Sequence, residues 1–140
     1  MFSQLTLSAE LPWRALVSEP IVFISRNRIK TGRGDEFRKH YQGSIPSTME
    51  AKPGTQAQLA YVNEEANEVV IVRFFPSADA LDHQIQGADE RSKKTYELIE
   101  PTGIEILGIP NPSTLLMMNR IAGSGVPVSI SPHYMGGFVR

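Results

Sequence analysis

Polar side chains interrupt strands that are otherwise apolar. Asn27 shares one strand face with Phe23 and Ile29, and Arg73 is the only charge in one alternating set of a second strand. An unsatisfied buried amide costs about 1 to 3 kcal/mol. We therefore expect Asn27 and Arg73 to hold ligand oxygen atoms, with Tyr61 on the neighbouring strand as a further donor. The alternatives are an Asn27 amide bonded to nearby backbone and an Arg73 that reaches past the strand end into water.

The chain has three histidines, of which His40 is the candidate general base. It lies beside an apolar stripe of its predicted helix, where an imidazole can take a proton from the hydroxyl group of a bound molecule. The alternative is a surface pair with Glu36, one turn earlier. His83 is predicted on the solvent side of its helix. For His133, near the C-terminus, a place over the pocket and a simple hydrogen bond both stay open.

The composition excludes several other chemistries. The chain of 140 residues has no cysteine, which rules out disulfides, thiolate metal sites and cysteine nucleophiles. Three scattered histidines make no metal-binding set, so no metal is expected. With 14 basic and 15 acidic residues spread along the chain, no footprint for nucleic acid or an anionic membrane is visible. No apolar run approaches the roughly 20 residues of a membrane span and no signal peptide begins the chain, so we expect a cytoplasmic protein.

The pattern of apolar residues predicts the order strand, helix, strand, strand, helix, strand. Its segments are Ile21–Lys30, a helix from Asp35, a hairpin of Thr55–Asn63 and Val69–Phe75, a helix from Ser77 that Pro101 ends, and Gly103–Ile109. Because Pro46 lacks an amide hydrogen, the first helix should break or kink within Gly43–Pro46. The order is that of an α+β, ferredoxin-like βαββαβ sandwich, in which two helices cover one face of an antiparallel sheet.

The two best-defined strands are apolar on both faces, which predicts cover for the second face as well. Since the predicted helices cover only one face, we expect the sheet of a second copy on the other, in a homodimer. The domain boundaries follow: an N-terminal arm over 1–20, the sandwich over 21–109, and a C-terminal helix and extended tail over 110–140 that pack on the domain or on the partner.

Three segments carry a resemblance to a known family. They are Ile24–Ile29 before a glycine turn, Phe75–Leu81 at the start of the second helix, and the closing strand Gly103–Gly108. Together with the element order, they resemble the antibiotic biosynthesis monooxygenase group of the dimeric α/β barrel superfamily. The resemblance implies sheets paired face to face. It also implies one of several activities: some members oxidise polycyclic aromatic or quinol substrates with oxygen and no cofactor, and others cleave haem.

The resemblance also implies roles for single residues. Asn27 falls where the family's strand asparagine projects into a pocket between sheet and helices. Gln84 stands where active members often carry histidine or tryptophan, and Lys94 stands about where haem-cleaving members carry histidine. Both departures count against haem cleavage.

The prediction is therefore a cofactor-independent monooxygenase acting on a small aromatic or quinone-like molecule. His40 and Asn27 would be its catalytic residues. The predicted ligand-binding residues are Phe23, Tyr61, Arg73 and Gln84. The alternatives are a dimer of the same fold that binds a small hydrophobic ligand without catalysis, as a storage or stress-associated protein, and a pocket filled by side chains.

Overall fold

The computed structural model describes residues 19–86 and 88–140, with the backbone alone for 88–91. The described elements are β1 (Ile21–Ile29), α1 (Gly34–Ala51), β2 (Ala57–Asn63), β3 (Glu68–Phe75), α2 (Ala78–Ile85), α3 (Ala88–Leu98), β4 (Ile99–Leu107), α4 (Pro112–Gly123) and β5 (Val128–Ser131). The predicted α+β ferredoxin-like fold is confirmed. Of the predicted N-terminal arm, residues 1–18 lie outside the described residues.

The sheet has the strand order β2-β3-β1-β4-β5. Neighbours are antiparallel, except that β5 runs parallel to β4 at the edge. Phe23 of β1 lies between Arg73 of β3 and Ile106 of β4. Since side chains directly opposite each other share a face, the register places these three residues on the helix-covered face.

Two apolar clusters fill the space between sheet and helices. One consists of Ile21, Phe23, Phe75, Leu81, Ile106 and Met118, and the other of Ile29, Phe37, Val69, Ile71, Leu98 and Ile99. A fully buried side chain of this kind contributes about 1.5 to 3 kcal/mol to folding. Along β1 the two clusters are separated by Ser25 and Asn27, so the polar residues lie at the gap in the core.

The opposite face of the sheet is apolar as well. Val22, Ile24, Val70 and Val72 lie on it, half-buried. Three larger side chains are more open, with 46% of Leu59, 63% of Tyr61 and 38% of Phe74 exposed in the described part of the chain. Arg26, opposite Val70, and Glu105, opposite Ile24, lie on the same face. An apolar patch of this size beside charged residues is typical of an interface rather than of a monomer's surface.

Of the break or kink expected in the first helix, the break is wrong, because α1 runs without interruption through Pro46. Pro46 and Gln42 are both exposed, so the carbonyl of Gln42, which loses its amide partner, can bond to water instead. On the same stretch the hydroxyl of Ser44 donates to the carbonyl of Tyr41 over 2.7 Å. Phe37 is the single buried residue of this 18-residue helix, so α1 stands over the sheet with little packing beneath it.

The second predicted helix is two helices. α2 ends at Ile85, and Gln86 has an extended backbone. The buried ammonium of Lys52 donates to the carbonyls of His83 (2.7 Å) and Gln86 (3.2 Å). A cation at this position stabilises carbonyl groups that the helix end leaves without amide partners.

The last strand of the sandwich also begins earlier than predicted. α3 ends at Leu98, and β4 starts at Ile99 with Pro101 inside it. Pro101 lies opposite Asn27 where the register shifts, and β5 pairs only with the later part of β4, from Ile104 onward. Proline is tolerated at a bulge and on an edge without a ladder partner, so it does not end the element here.

The C-terminal region packs on the sandwich through α4, whose Met118 is buried in the first apolar cluster. Asp82 of α2 accepts hydrogen bonds from Asn111 (2.8 Å), Ser113 (3.2 Å) and Thr114 at the start of α4. Burial raises the pKa of Asp82, but the hydrogen bonds from Thr114, Asn111 and Ser113 outweigh it, and the pKa lies below its ordinary value. Beyond β5, residues 132–140 are exposed. No described helix combines the length and the apolar character that crossing a membrane requires.

Candidate functional site

A cavity of about 380 Å³ lies between the sheet and the helices. Each of α1 to α4 contributes side chains to its wall, and the strands contribute its floor. Five residues that the sequence singles out line it: Phe23, Asn27, His40, Arg73 and Gln84. The cavity is therefore not filled by side chains, and residues far apart in the chain converge on it.

Asn27 is a polar residue at the floor of this cavity and is only 3% exposed. Its amide nitrogen donates to the hydroxyl of Ser25 over 3.1 Å. Among the described residues, neither its carbonyl oxygen nor its second amide hydrogen has a partner. A buried amide with unused hydrogen-bonding capacity is suited to binding a polar ligand atom.

His40 contacts α3 rather than Glu36. Its Nε2 atom lies 2.9 Å from the hydroxyl oxygen of Thr95, and both side chains line the cavity. Glu36 accepts instead from Arg33 (2.8 Å) and Lys94 (3.2 Å), so the alternative surface pair with His40 is not formed. The hydrogen bonds from Arg33 and Lys94 lower the pKa of Glu36 to about 2.

Arg73 belongs to a chain of hydrogen bonds across the floor. Its Nε donates to Oε1 of Gln58 over 2.8 Å, and Nε2 of Gln58 donates to the Tyr41 hydroxyl over 3.3 Å. The guanidinium therefore fixes the orientation of the Gln58 amide. Because the Tyr41 oxygen accepts from Gln58, its own proton is available for another acceptor.

Gln84 is also anchored. The hydroxyl of Thr55, in the segment before β2, donates to its Oε1 over 2.5 Å. Gln84 is buried at the wall, where the resemblance leads one to expect histidine or tryptophan. An anchored amide cannot act as a base, so Gln84 contributes shape and polarity rather than proton transfer.

The prediction for Tyr61 needs correction. Tyr61 lies opposite Val70 on the open face of the sheet, whereas Arg73 lies opposite Gln58 on the helix-covered face. The expected pairing of Tyr61 with Arg73 is therefore not formed, and Tyr61 does not line the cavity. The side chains of His83 and His133 are exposed and do not line it either.

The predicted site did not include Gln58, Thr95 and Tyr41, three polar residues of the cavity wall that form hydrogen bonds within it. Gln58 follows from register, since the helix-facing neighbour of Arg73 is fixed once the hairpin pairing is known. Thr95 lies on the same side of its helix as Ser92 and Tyr96, which also line the cavity, so helical spacing is the signal that could have found it. Among the described residues, no cluster of three or more histidine and acidic side chains could hold a metal ion.

The fold is shared with solved structures. MupZ from Pseudomonas fluorescens superposes with a TM-score of 0.66 at 13% identity, over 88% of this chain and 96% of that one. Two structures named "putative antibiotic biosynthesis monooxygenase" follow the same course. The one from Caulobacter crescentus gives a TM-score of 0.57 at 16% identity, over 69% of this chain and 94% of its own. The one from Bordetella bronchiseptica gives a TM-score of 0.53 at 20% sequence identity, over 64% of this chain and 95% of its own.

The chain has the antibiotic biosynthesis monooxygenase fold. The resemblance seen in the sequence is thus confirmed at the level of architecture. No family model matches the sequence, and no curated protein matches it. At identities of this size the superpositions establish the course of the backbone, and any activity must be argued from the cavity.

Proposed function

We propose that this protein is a cofactor-independent monooxygenase that oxidises a small aromatic alcohol or quinol in the cavity between sheet and helices. The observation that carries the proposal is Asn27, a buried amide with unused hydrogen-bonding atoms that lines the same cavity as the His40–Thr95 pair. A cavity of about 380 Å³ suits a molecule of two or three fused rings in size.

The proton of the substrate hydroxyl would leave through Thr95 and His40. Because the Thr95 oxygen lies 2.9 Å from Nε2 of His40, the threonine hydroxyl can pass its own proton to the imidazole as it accepts one from the substrate. The Asn27 amide hydrogen would then donate to the oxyanion that forms, which lowers the energy of the anion.

The overall reaction balances without an external reductant. The aryl-oxide anion adds oxygen at a ring carbon bearing hydrogen, giving a hydroperoxide after a proton returns from His40. Loss of that carbon's hydrogen with cleavage of the O–O bond releases water and leaves a carbonyl. A naphthol plus O₂ thus gives a naphthoquinone plus H₂O, with all four electrons supplied by the substrate.

The active assembly would be a homodimer paired through the open sheet face. Val22, Ile24, Val70 and Val72 form the centre of that face, and the partially exposed Leu59, Tyr61 and Phe74 extend it. A second copy of the same face would bury them, while the cavity on the other side of the sheet stays accessible.

Oxygen uptake tests the proposal. Hydroxynaphthalenes and quinols are supplied in metal-free buffer to the parent protein, His40→Ala, Thr95→Val and Asn27→Ala, with His83→Ala as the matched control of an exposed histidine. We expect uptake by the parent and by His83→Ala, and a loss on the order of 100-fold or more in His40→Ala. Equal uptake by all the variants would refute the proposed roles.

The rival function is ligand binding without catalysis, and the anchored Gln84 favours it, because active members of the family often carry histidine or tryptophan there. Binding of the aromatic compounds with no oxygen uptake by the parent would establish this rival. Uptake that requires added haem would instead contradict the cofactor-free reaction.

A further inference from the structure

A second space lies on the other flank of α1. This groove, of about 470 Å³, runs between α1 and the edge strand β2. Its apolar lining is formed by Ile29, Phe37, Ile45, Ala60, Val62 and Val69. Exposed polar residues also line it, among them Asp35, Gln42 and the ion pair of Arg38 with Glu64 over 3.1 Å. The groove thus combines an apolar floor with solvent-exposed polar groups.

The groove and the cavity share two wall residues, Tyr41 and Gln58. Both spaces lie beside α1, so the contact between these two side chains separates them beneath the helix. That contact is a single hydrogen bond of 3.3 Å, long for its type. Tyr41 is also held on its other side by the ring of Phe37, whose centroid lies 6.0 Å away.

We propose that cavity and groove form one binding site for a two-part ligand. The polar ring lies in the cavity, and an unbranched aliphatic chain on that ring passes between Tyr41 and Gln58 into the groove. This inference rests on the proposed function for the ring's position and deepens it by naming the substrate class: alkyl-substituted naphthols or quinols rather than bare rings.

The chemistry of the two spaces supports this division. The hydrogen-bonding groups Asn27, His40, Thr95 and Arg73 all line the cavity and none of them lines the groove. The groove offers aliphatic and aromatic contacts along its floor. Its residues Asp35, Arg38, Gln42 and Glu64 are exposed, so their polar groups can stay hydrated beside a bound methylene chain. Each methylene group buried on the floor increases the affinity about fourfold.

Calorimetric binding of 2-alkyl-1-naphthols under nitrogen tests the inference, because no turnover occurs without oxygen. The alkyl groups of these compounds have one to eight carbons, and each compound is titrated into the parent, Val62→Trp and Ile45→Ser. Val62→Trp fills the groove from an exposed strand position, and Ile45→Ser removes part of its apolar wall. The matched controls are Thr102→Trp and Leu116→Ser, exposed residues that line neither space.

For the parent and both controls we expect affinity to rise on the order of 100-fold over the three or four methylenes that enter the groove. In Val62→Trp and Ile45→Ser most of that rise should disappear, while the methyl compound binds as in the parent. Affinity independent of chain length in the parent, or an unchanged rise in Val62→Trp, overturns the inference even if oxygen uptake is intact.

The outcomes separate the two proposals. A chain-length dependence that Val62→Trp abolishes, without oxygen uptake by any compound, supports the two-part site and refutes the monooxygenase. Absence of binding by every compound refutes both.

Discussion

Replacement of Asn27 by leucine separates a ligand-binding asparagine from a structural one. Leucine has nearly the same shape and removes the amide atoms that have no partner in the described structure. Their desolvation costs about 1 to 3 kcal/mol, and the lost bond to Ser25 is worth about 1 kcal/mol. The free energy of unfolding of Asn27→Leu should therefore be unchanged or up to about 2 kcal/mol higher.

The ligand should respond in the opposite direction. Binding of a naphthol should weaken by about ten- to a hundredfold, because the substrate oxygen loses its donor. The assays are urea unfolding and calorimetric titration on the same samples. Asn67→Leu is the matched contrast: Asn67 donates to the carbonyl of Ile29 over 2.8 Å and has a φ of 55°, a backbone conformation that leucine adopts only with strain. It should lose about 2 kcal/mol of stability.

A loss of 2 kcal/mol or more in Asn27→Leu would refute this reasoning, since it would mean that the amide holds the fold together. Unchanged naphthol binding in a stable Asn27→Leu protein would refute the ligand-binding role of Asn27, because the amide would then not contact the ligand.

Three further predictions concern assembly and stability. Val72→Lys should place an unpaired charge in the proposed sheet interface and so dissociate or unfold the dimer, whereas Lys93→Ala should have little effect. Light scattering measures the association state. A parent protein that is a stable monomer at micromolar concentration would contradict the interface. Asp82→Ala should lower stability by about 2 kcal/mol at pH 7. Because folding lowers the pKa of Asp82, its contribution to stability is present above pH 3.8 and is lost as the pH falls through the pKa of the folded protein. The difference in unfolding free energy between the parent and Asp82→Ala should therefore shrink in acid. A difference that stays constant with pH would refute this prediction. Deleting residues 124–140 should lower the Tm, since β5 pairs with β4; an unchanged Tm and association state would show that the segment is dispensable.

Strands were easier to predict than helices here, for a geometric reason. A strand alternates with a period of two, so the face of Asn27 follows from its neighbours alone. Helical spacing likewise assigns Thr95 to the side of its helix that bears Ser92 and Tyr96, but the spacing of a polar residue does not show that a cavity lies beside it, and the prediction did not include it. Tyr61 failed for a different reason: its face depends on the register of the hairpin, which alternation within one strand does not determine.

Each face of the sheet carries residues that do not suit its surroundings: polar residues on the covered face and apolar residues on the open one. Each face therefore needs a different binding partner. On the helix-covered face, where a core should be apolar, Ser25, Asn27 and Arg73 place polar atoms beside a cavity. On the open face, where water should favour polar groups, the central strands present valine and isoleucine. A polar ligand would satisfy the first face, and the proposed identical sheet of a second copy would satisfy the second. Neither can replace the other, because a sheet partner has no donors for a ligand and a small molecule cannot cover five strands. The same strands would therefore serve catalysis on one side and assembly on the other, and substitutions that alternate along β1 should affect binding and association separately.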